Sequence, residues 1–553
     1  MAATTDVRSL DAVIIGSGFS GLYLNHRLRD RLGLDVVVFE AGNDVGGTWY
    51  WNRYPGARCD SESYLYCFSF DEGLMQEWEW SGKYPEQPEI LRYLNHVADR
   101  FDLRRNTSFE TRVTSAHFDE ATDRWLVETD RGDRVSCRYL ITGIGCLSTG
   151  QIPDFPGRDS FAGEAYHTGS WPHEGVDFTG KRVAVIGTGS SGIQSIPVIA
   201  RQADHLYVFQ RTAQYTIPAR HATVDKAVLD RVKQDYEAIY DKARWSVGGF
   251  PYDVVDRSAL SVGDEERNAI FERAWQEGGF RFVFASFSDL RTNREASELA
   301  GEFIRNKIRE TVKDPAVAEK LVPTTHPFGS KRTLIDTDYF ETYNRDNVTL
   351  VDIREAPITA ITPTGITTAA GHHDVDIIVY ATGFDAMTGS FNRIDIRGRG
   401  GERPARQVGG RARTYLGLMS AGFPNLFMIT RPGSPSVLSN VPVSIEQHVR
   451  YVSRIIEHLD ANGLATIEAR PAAEDDWVDH VNEVAQPRCS CTPTRGTWAP
   501  TSRQAAGVHA LLRRCGSVPH PLRGDRSQRL GGFRAAPGHG DRLGVTGVTG
   551  VSA

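Results

Sequence analysis

The fold class predicted from this 553-residue chain is α/β, with two dinucleotide-binding units and a helical insertion in the second. Three observations predict it. The apolar run Ala12–Ile15 leads into Gly16-Ser-Gly18-Phe-Ser-Gly21, and the run Val183–Ile186 leads into Gly187-Thr-Gly189-Ser-Ser-Gly192. Each reads as a strand, a glycine turn and a helix start, the local build of a Rossmann-like unit. From about Val224 to Thr324 the pattern turns helical and charged, as in Asp264–Gly278 and Arg291–Val312. One GxGxxG alone is a weak signal. Two at matching spacing imply two nucleotides.

Composition narrows the class. Charged residues are 24%, hydrophobic residues 40% and the formal net charge is -7, as in an ordinary soluble acidic protein, so no nucleic-acid partner is expected. No apolar run approaches the roughly 18 residues of a membrane span. Met1–Leu10 is too polar for a signal peptide, so no membrane partner is expected either. Seven cysteines without framework spacing suit a reducing cytoplasm. Cys489-Ser-Cys491 has no CxxC pair or nearby histidine to support it, and no metal is expected.

In the first unit, a helix is expected over roughly Leu22–Leu32 and a second strand over Asp35–Phe39, ending in Glu40. Gly16 permits the tight turn, Gly18 a close backbone approach to a pyrophosphate, and Gly21 close packing of helix on strand. Glu40 follows Gly21 by 19 residues, where a carboxylate accepts hydrogen bonds from a free ribose hydroxyl. The second unit has the same spacing and the opposite charge. Its strand Leu206–Gln210 closes at Arg211, 19 residues after Gly192, and a cation there fits a ribose 2′-phosphate. The first site therefore suits FAD or NAD and the second NADPH. The stretch Gly46-Gly-Thr-Trp-Tyr-Trp51-Asn-Arg-Tyr-Pro-Gly-Ala-Arg58-Cys-Asp60 favours FAD, because aromatic faces pack on a flavin and charged groups can stand at its reactive edge.

These motifs, together with Phe161-Ala-Gly163-Glu-Ala-Tyr-His167-Thr-Gly-Ser-Trp171-Pro172 between the two units, resemble the flavin-dependent Baeyer–Villiger monooxygenases, most closely the phenylacetone and steroid monooxygenase group. The family fingerprint FxGxxxHxxxWP and its second motif GGxWxxxxYPGxxxD are both matched, and the likeness covers roughly residues 10–487.

The resemblance implies FAD and NADPH as cofactors, and it implies contacts residue by residue. FAD is expected against Gly16, Gly18, Phe19, Gly21, Glu40, Thr48, Trp49, Tyr50, Trp51, Asp60, Tyr66, Val113 and Val441. NADP is expected against Arg58, Cys59, Asp60, Thr188, Gly189, Ser190, Ser191, Gly192, Ile193 and Gln194, with Arg211, Thr212 and Lys331 at the 2′-phosphate. Arg332 is implied as the active-site arginine and Asp60 as its carboxylate partner. The chemistry explains the residue types, since a permanently charged guanidinium stabilises a flavin C4a-peroxide and then the oxyanion of its ketone adduct. His167 stays outside the catalytic set, because the fingerprint is read as a linker relaying domain movement. Gly433–Asn440 resembles the loop lining the substrate pocket.

The expected division is 1–150 for the first part of the FAD domain, 151–223 for the fingerprint and the first part of the NADP domain, and 224–327 for the helical insertion. The NADP domain resumes over 328–382 and the FAD domain over 383–487. Residues 488–553 depart from the family: rich in Arg, Gly, Pro and Ser, they lack its mobile loop and closing strand. Codons able to encode Ser502–Val518, read one nucleotide later, can spell much of that missing segment. The same shift on Ala405–Ala412 gives a family-like stretch, so both regions are read as frameshifts rather than as a disordered tail.

The expected function is NADPH- and O2-dependent conversion of a small-molecule ketone to an ester or lactone by a cytoplasmic monomer, with sulfides as further substrates. The alternative is an N- or S-hydroxylating flavin monooxygenase. A disulfide-type reductase would need a redox cysteine pair near the flavin helix, which is absent. A nucleotide-binding regulator without turnover is the reading from outside enzymology.

Overall fold

The structure is a computed structural model describing residues 7–246, 248–253, 255–404, 413–434, 439–489 and 533–536. Both segments read as frameshifted, Ala405–Ala412 and Ser502–Val518, lie outside the described residues. Two sheets dominate. The first has eight strands, with Arg8–Ile15 running parallel between Val36–Phe39 and Arg134–Thr142. The chain returns to this sheet late: Asp395–Arg397 joins Val113–Asp119, and Leu426–Met428 joins the C-terminal half of Arg134–Thr142. The first helix begins at Phe19, three residues before the expected start, because Gly18 is its N-cap; it continues as a π-helical stretch over His26–Arg31.

The second sheet is wholly parallel, in the order Val348–Asp352, His205–Gln210, Arg182–Ile186, Ile377–Tyr380 and Glu164–His167. Alternation along Arg182–Ile186 sends Val183 and Val185 into one core and Ala184 and Ile186 into another, as the strand period of two requires. The first core contains the helices; the second lies under the antiparallel strands Ile358–Thr362, Gly365–Thr368 and Gly371–Asp374.

The fingerprint is thus more than a linker. Its first half is the edge strand Glu164–His167, separated from Arg182–Ile186 by Ile377–Tyr380. His167 is 6% exposed, its Nε2 lies 3.1 Å from Gly383 O, and burial lowers its pKa.

Helices occupy the expected middle region, at Lys226–Gln234, Tyr236–Arg244, Asp264–Glu277, Arg281–Phe284, Arg294–Thr311 and Pro315–Leu321. They divide between the helical core of the second sheet and a separate core of the first unit. Phe271, Phe282, Ile304 and Ile308 pack with Val185 and Ile193 of the second unit, whereas Tyr236 and Tyr240 pack with Phe68 and Tyr93 of the first. The phenol of Tyr240 donates to Cys67 O at 3.0 Å, which gives its buried hydroxyl a partner on that side.

Candidate active site

The two glycine turns use their missing side chains differently. A Cβ on Gly18 would lie 3.2 Å from Gly47 Cα, so this glycine admits the Gly46-Gly47 turn, beyond which Thr48–Trp51 forms one helical turn. A Cβ on Gly192 would lie 2.2 Å from Gly187 O, the close helix–strand contact expected of that position, whereas a Cβ on Gly189 would meet nothing within 4 Å. The space above Gly189 is therefore open for a phosphate at the start of helix Ser190–Ala200.

Glu40 is 5% exposed; Ser17 N and Ser17 Oγ donate to its Oε2 at 2.7 and 3.0 Å, and Gly42 N donates to its Oε1 at 2.8 Å. Three bonds orient the carboxylate and leave acceptor capacity for a ribose hydroxyl. Thr111 N donates to Glu40 O at 2.8 Å, which brings Val113 close to this end of the sheet. Beside Ile15, at the carboxyl end of its strand, Thr142 Oγ1 is buried without a hydrogen-bond partner. In a parallel α/β sheet that is the end where a dinucleotide binds, so the residues present fit FAD. Phe19, Trp49 and Tyr66 form one aromatic cluster, with Trp49 Nε1 donating to Tyr66 Oη at 3.2 Å. Burial pushes the Tyr66 phenol pKa well up. Val441 opens helix Val441–Ala461, whose N-cap Asn440 donates through Nδ2 to Leu65 O at 2.8 Å, next to Tyr66.

The aromatic loop is tied to the second unit through Gln194. Tyr54 Oη donates to Gln194 Oε1 at 2.8 Å, and Gln194 Nε2 donates to Arg58 O at 3.1 Å. The fingerprint makes two further ties: Trp171 N donates to Trp51 O at 3.3 Å, and Thr168 Oγ1 lies 3.1 Å from Ser191 Oγ. Thr188 Oγ1 donates to Thr212 O at 3.1 Å. Ile193 is fully buried in the core and its amide donates to Gly189 O.

At this junction Arg332 meets Asp60. Arg332 Nη2 lies 2.8 and 2.7 Å from the Asp60 oxygens and Nε lies 3.1 Å from Oδ2. Phe280 stacks under the guanidinium at 5.1 Å. Burial opposes the charge on Arg332, but the Asp60 carboxylate outweighs it and the arginine pKa ends above its ordinary value. The neighbouring Cys59 thiol is pushed well up by burial and then by Asp60, which keeps it unreactive.

Lys331 has the opposite environment. Its pKa is lowered by burial and by Arg211, and among the described residues neither cation has a carboxylate partner. Arg58 pairs with Glu86 at 2.6 Å through Nη2, while its Nη1 is buried without a partner. Two mutually repelling cations, an orphaned guanidinium nitrogen and the open space above Gly189 fit the phosphates of NADPH. Sequence reasoning missed Tyr54, Thr168 and Phe280. Tyr54 and Thr168 lie inside the quoted motifs and could have been read there; Phe280 carries no local signal.

Among the described residues no group of three or more His, Cys, Asp or Glu could hold a metal, and no helix is long and apolar enough to cross a membrane. Residues 10–224 match the FMO-like, flavin-binding monooxygenase-like family. The chain is 46% identical over 477 residues to a Baeyer–Villiger monooxygenase of Pseudooceanicola batsensis, covering 86% of this chain and 87% of that protein. It is 43% identical to phenazine N-monooxygenase PhzNO1 of Lysobacter antibioticus, covering 87% and 88%. A solved structure of oxidised steroid monooxygenase bound to NADP aligns with a TM-score of 0.88 and 49% identity, over 96% of this chain and 100% of that one. With these likenesses spanning both glycine turns and the Asp60–Arg332 junction, the chain belongs to the flavin-binding Baeyer–Villiger monooxygenases.

Proposed function

We propose that this chain converts a ketone, O2 and NADPH with a proton into an ester or lactone, NADP⁺ and water. The observation that carries the reading is the Asp60–Arg332 pair, held where the flavin motif, the fingerprint and the second unit meet. Bound FAD supplies the oxygen activation. Glu40, Trp49 and Tyr66 hold that cofactor, and Arg211, Lys331 and Arg58 hold the phosphates of NADPH. Asp60 grips two guanidinium nitrogens, so Arg332 presents a fixed positive charge where negative charge develops on oxygen. An arginine keeps that charge through burial; a lysine loses part of it, as the lowered pKa of Lys331 illustrates.

The likeness to a phenazine N-monooxygenase favours N-oxidation as the second reading. Small linear and aryl ketones are the preferred substrates in the first reading. The buried thiols of Cys59, Cys67 and Cys137, which form no disulfide, suit a reducing cytoplasmic setting, and a monomer is proposed. A panel of linear, cyclic, aryl and steroid ketones, sulfides and aromatic N-heterocycles, with products identified by mass, tests the choice. Esters from ketones support the proposal; N-oxides alone overturn it.

A further inference from the structure

The cations of the coenzyme site sit on two chain segments that meet beyond it. Arg211 and Thr212 run into the strand Thr216–Pro218, and Lys331 and Arg332 run into Leu334–Asp336. These strands form an isolated parallel pair with Thr216 opposite Leu334 and Pro218 opposite Asp336. So short a pair has little stability of its own. It is held at one end by Leu334 N donating to Tyr215 O at 3.3 Å, and at the other by Ala219 N donating to Asp336 O at 2.8 Å. A side-chain link across it is buried: Thr216, 0% exposed, donates through Oγ1 to Oδ2 of Asp336, 6% exposed.

We propose that Asp336 is a positioning residue for the coenzyme: through Thr216 it clasps the segment carrying Arg211 to the segment carrying Lys331 and Arg332.

The hydroxyl of Thr216 favours the ionised carboxylate of Asp336, and burial and the acids around it oppose that charge. Glu341 on the following helix and Asp338 both repel a negative charge there, and Asp338 is itself paired with Arg201 at 2.7 Å. Tyr339 offers only its amide, 3.5 Å from Oδ1. On the other side of the pair, Pro218 O accepts from Gly279 N at 3.0 Å, with the Arg220 side chain beside the same turn. Burial, followed by these acids, raises the Asp336 pKa to about 7. The sign follows: the folded protein keeps this proton where the unfolded chain has lost it, so stability falls as pH rises from the ordinary carboxylate range to about 7. Neutral or charged, the carboxyl oxygen accepts from Thr216, so the clasp spans this pH range.

The inference rests on the assignment of Arg211 and Lys331 to NADPH. The test uses the FAD-loaded full chain with a turned-over ketone, measuring KM for NADPH and kcat at pH 6 in wild type, Asp336→Ala and Asp336→Asn, with thermal midpoints alongside. The expected result is a KM raised about tenfold in Asp336→Ala and within about threefold of wild type in Asp336→Asn, whose amide oxygen can still accept from Thr216, with kcat changing about twofold or less in both. Thr216→Val removes the link without changing charge, and is expected to raise KM for NADPH at pH 6 with kcat retained. An unchanged KM for NADPH in Asp336→Ala overturns the inference. So does a Thr216→Val protein in which kcat, KM and thermal midpoint all worsen together, since that marks a purely structural role. Arg211→Ala, measured with NADPH and NADH, separates the two levels. An unchanged coenzyme preference there refutes the phosphate assignment itself; a lost preference with an unchanged KM in Asp336→Ala refutes only the clasp.

Discussion

Replacing Arg332 by alanine separates coenzyme oxidation from ester formation. Three contacts between 2.7 and 3.1 Å bind its guanidinium to Asp60, and the two side chains are 29% and 20% exposed. Hydrogen bonds to charged groups are worth about 1.5–3 kcal/mol each, but partial exposure places this pair toward the lower end. The catalytic loss is set by the missing charge rather than by the pair's own stability. Removing one preorganised oxyanion partner costs about 10²–10³ in rate, or roughly 2.7–4 kcal/mol. Arg332→Ala is therefore expected to lower ester formation about 10²–10³-fold while NADPH oxidation continues, so that the two rates uncouple. Asp60→Ala is expected to give a smaller loss, because its part is to orient the guanidinium. Arg332→Lys is expected to fall between, since it loses the planar fork and burial lowers the lysine pKa. The assay follows NADPH absorbance and ester mass in the same reaction. Ester formation by Arg332→Ala within about threefold of wild type would refute the assigned role.

Three further outcomes are expected. Arg211→Ala raises KM for NADPH about tenfold or more and leaves NADH little changed, as the loss of one charge-assisted bond predicts; equal effects on both coenzymes count against the 2′-phosphate assignment. Gly189→Ala keeps the wild-type thermal midpoint but binds NADPH more weakly, because its Cβ enters open space above the turn; Gly192→Ala lowers the midpoint, because its Cβ would lie 2.2 Å from Gly187 O. Resequencing the gene is expected to show frame changes near Ala405–Ala412 and Ser502–Val518, and a frame-corrected chain to form ester faster than the chain as written; an unbroken frame ends that reading.

Local pattern was enough for much of this protein. Both strand–glycine–helix units stand where the apolar runs and turn glycines place them, because strand alternation and close helix–strand contact act over a few residues. The contrast between Glu40 and Arg211 was likewise legible from one spacing rule applied twice. The partnership of Asp60 with Arg332 was legible only through family resemblance, since 272 residues separate them and no local rule links such positions. Tertiary structure alone decided the rest. The fingerprint became an edge strand because Ile377–Tyr380 arrives from far along the chain to stand between it and Arg182–Ile186. Tyr236 and Tyr240 turned the expected insertion toward the core of the first unit because their large rings find Phe68 and Tyr93 there. Phe280 under Arg332 and Thr216 against Asp336 are likewise contacts between distant segments. Such contacts depend on which surfaces remain to be buried once the local elements exist, and a linear pattern of residues does not encode that choice position by position.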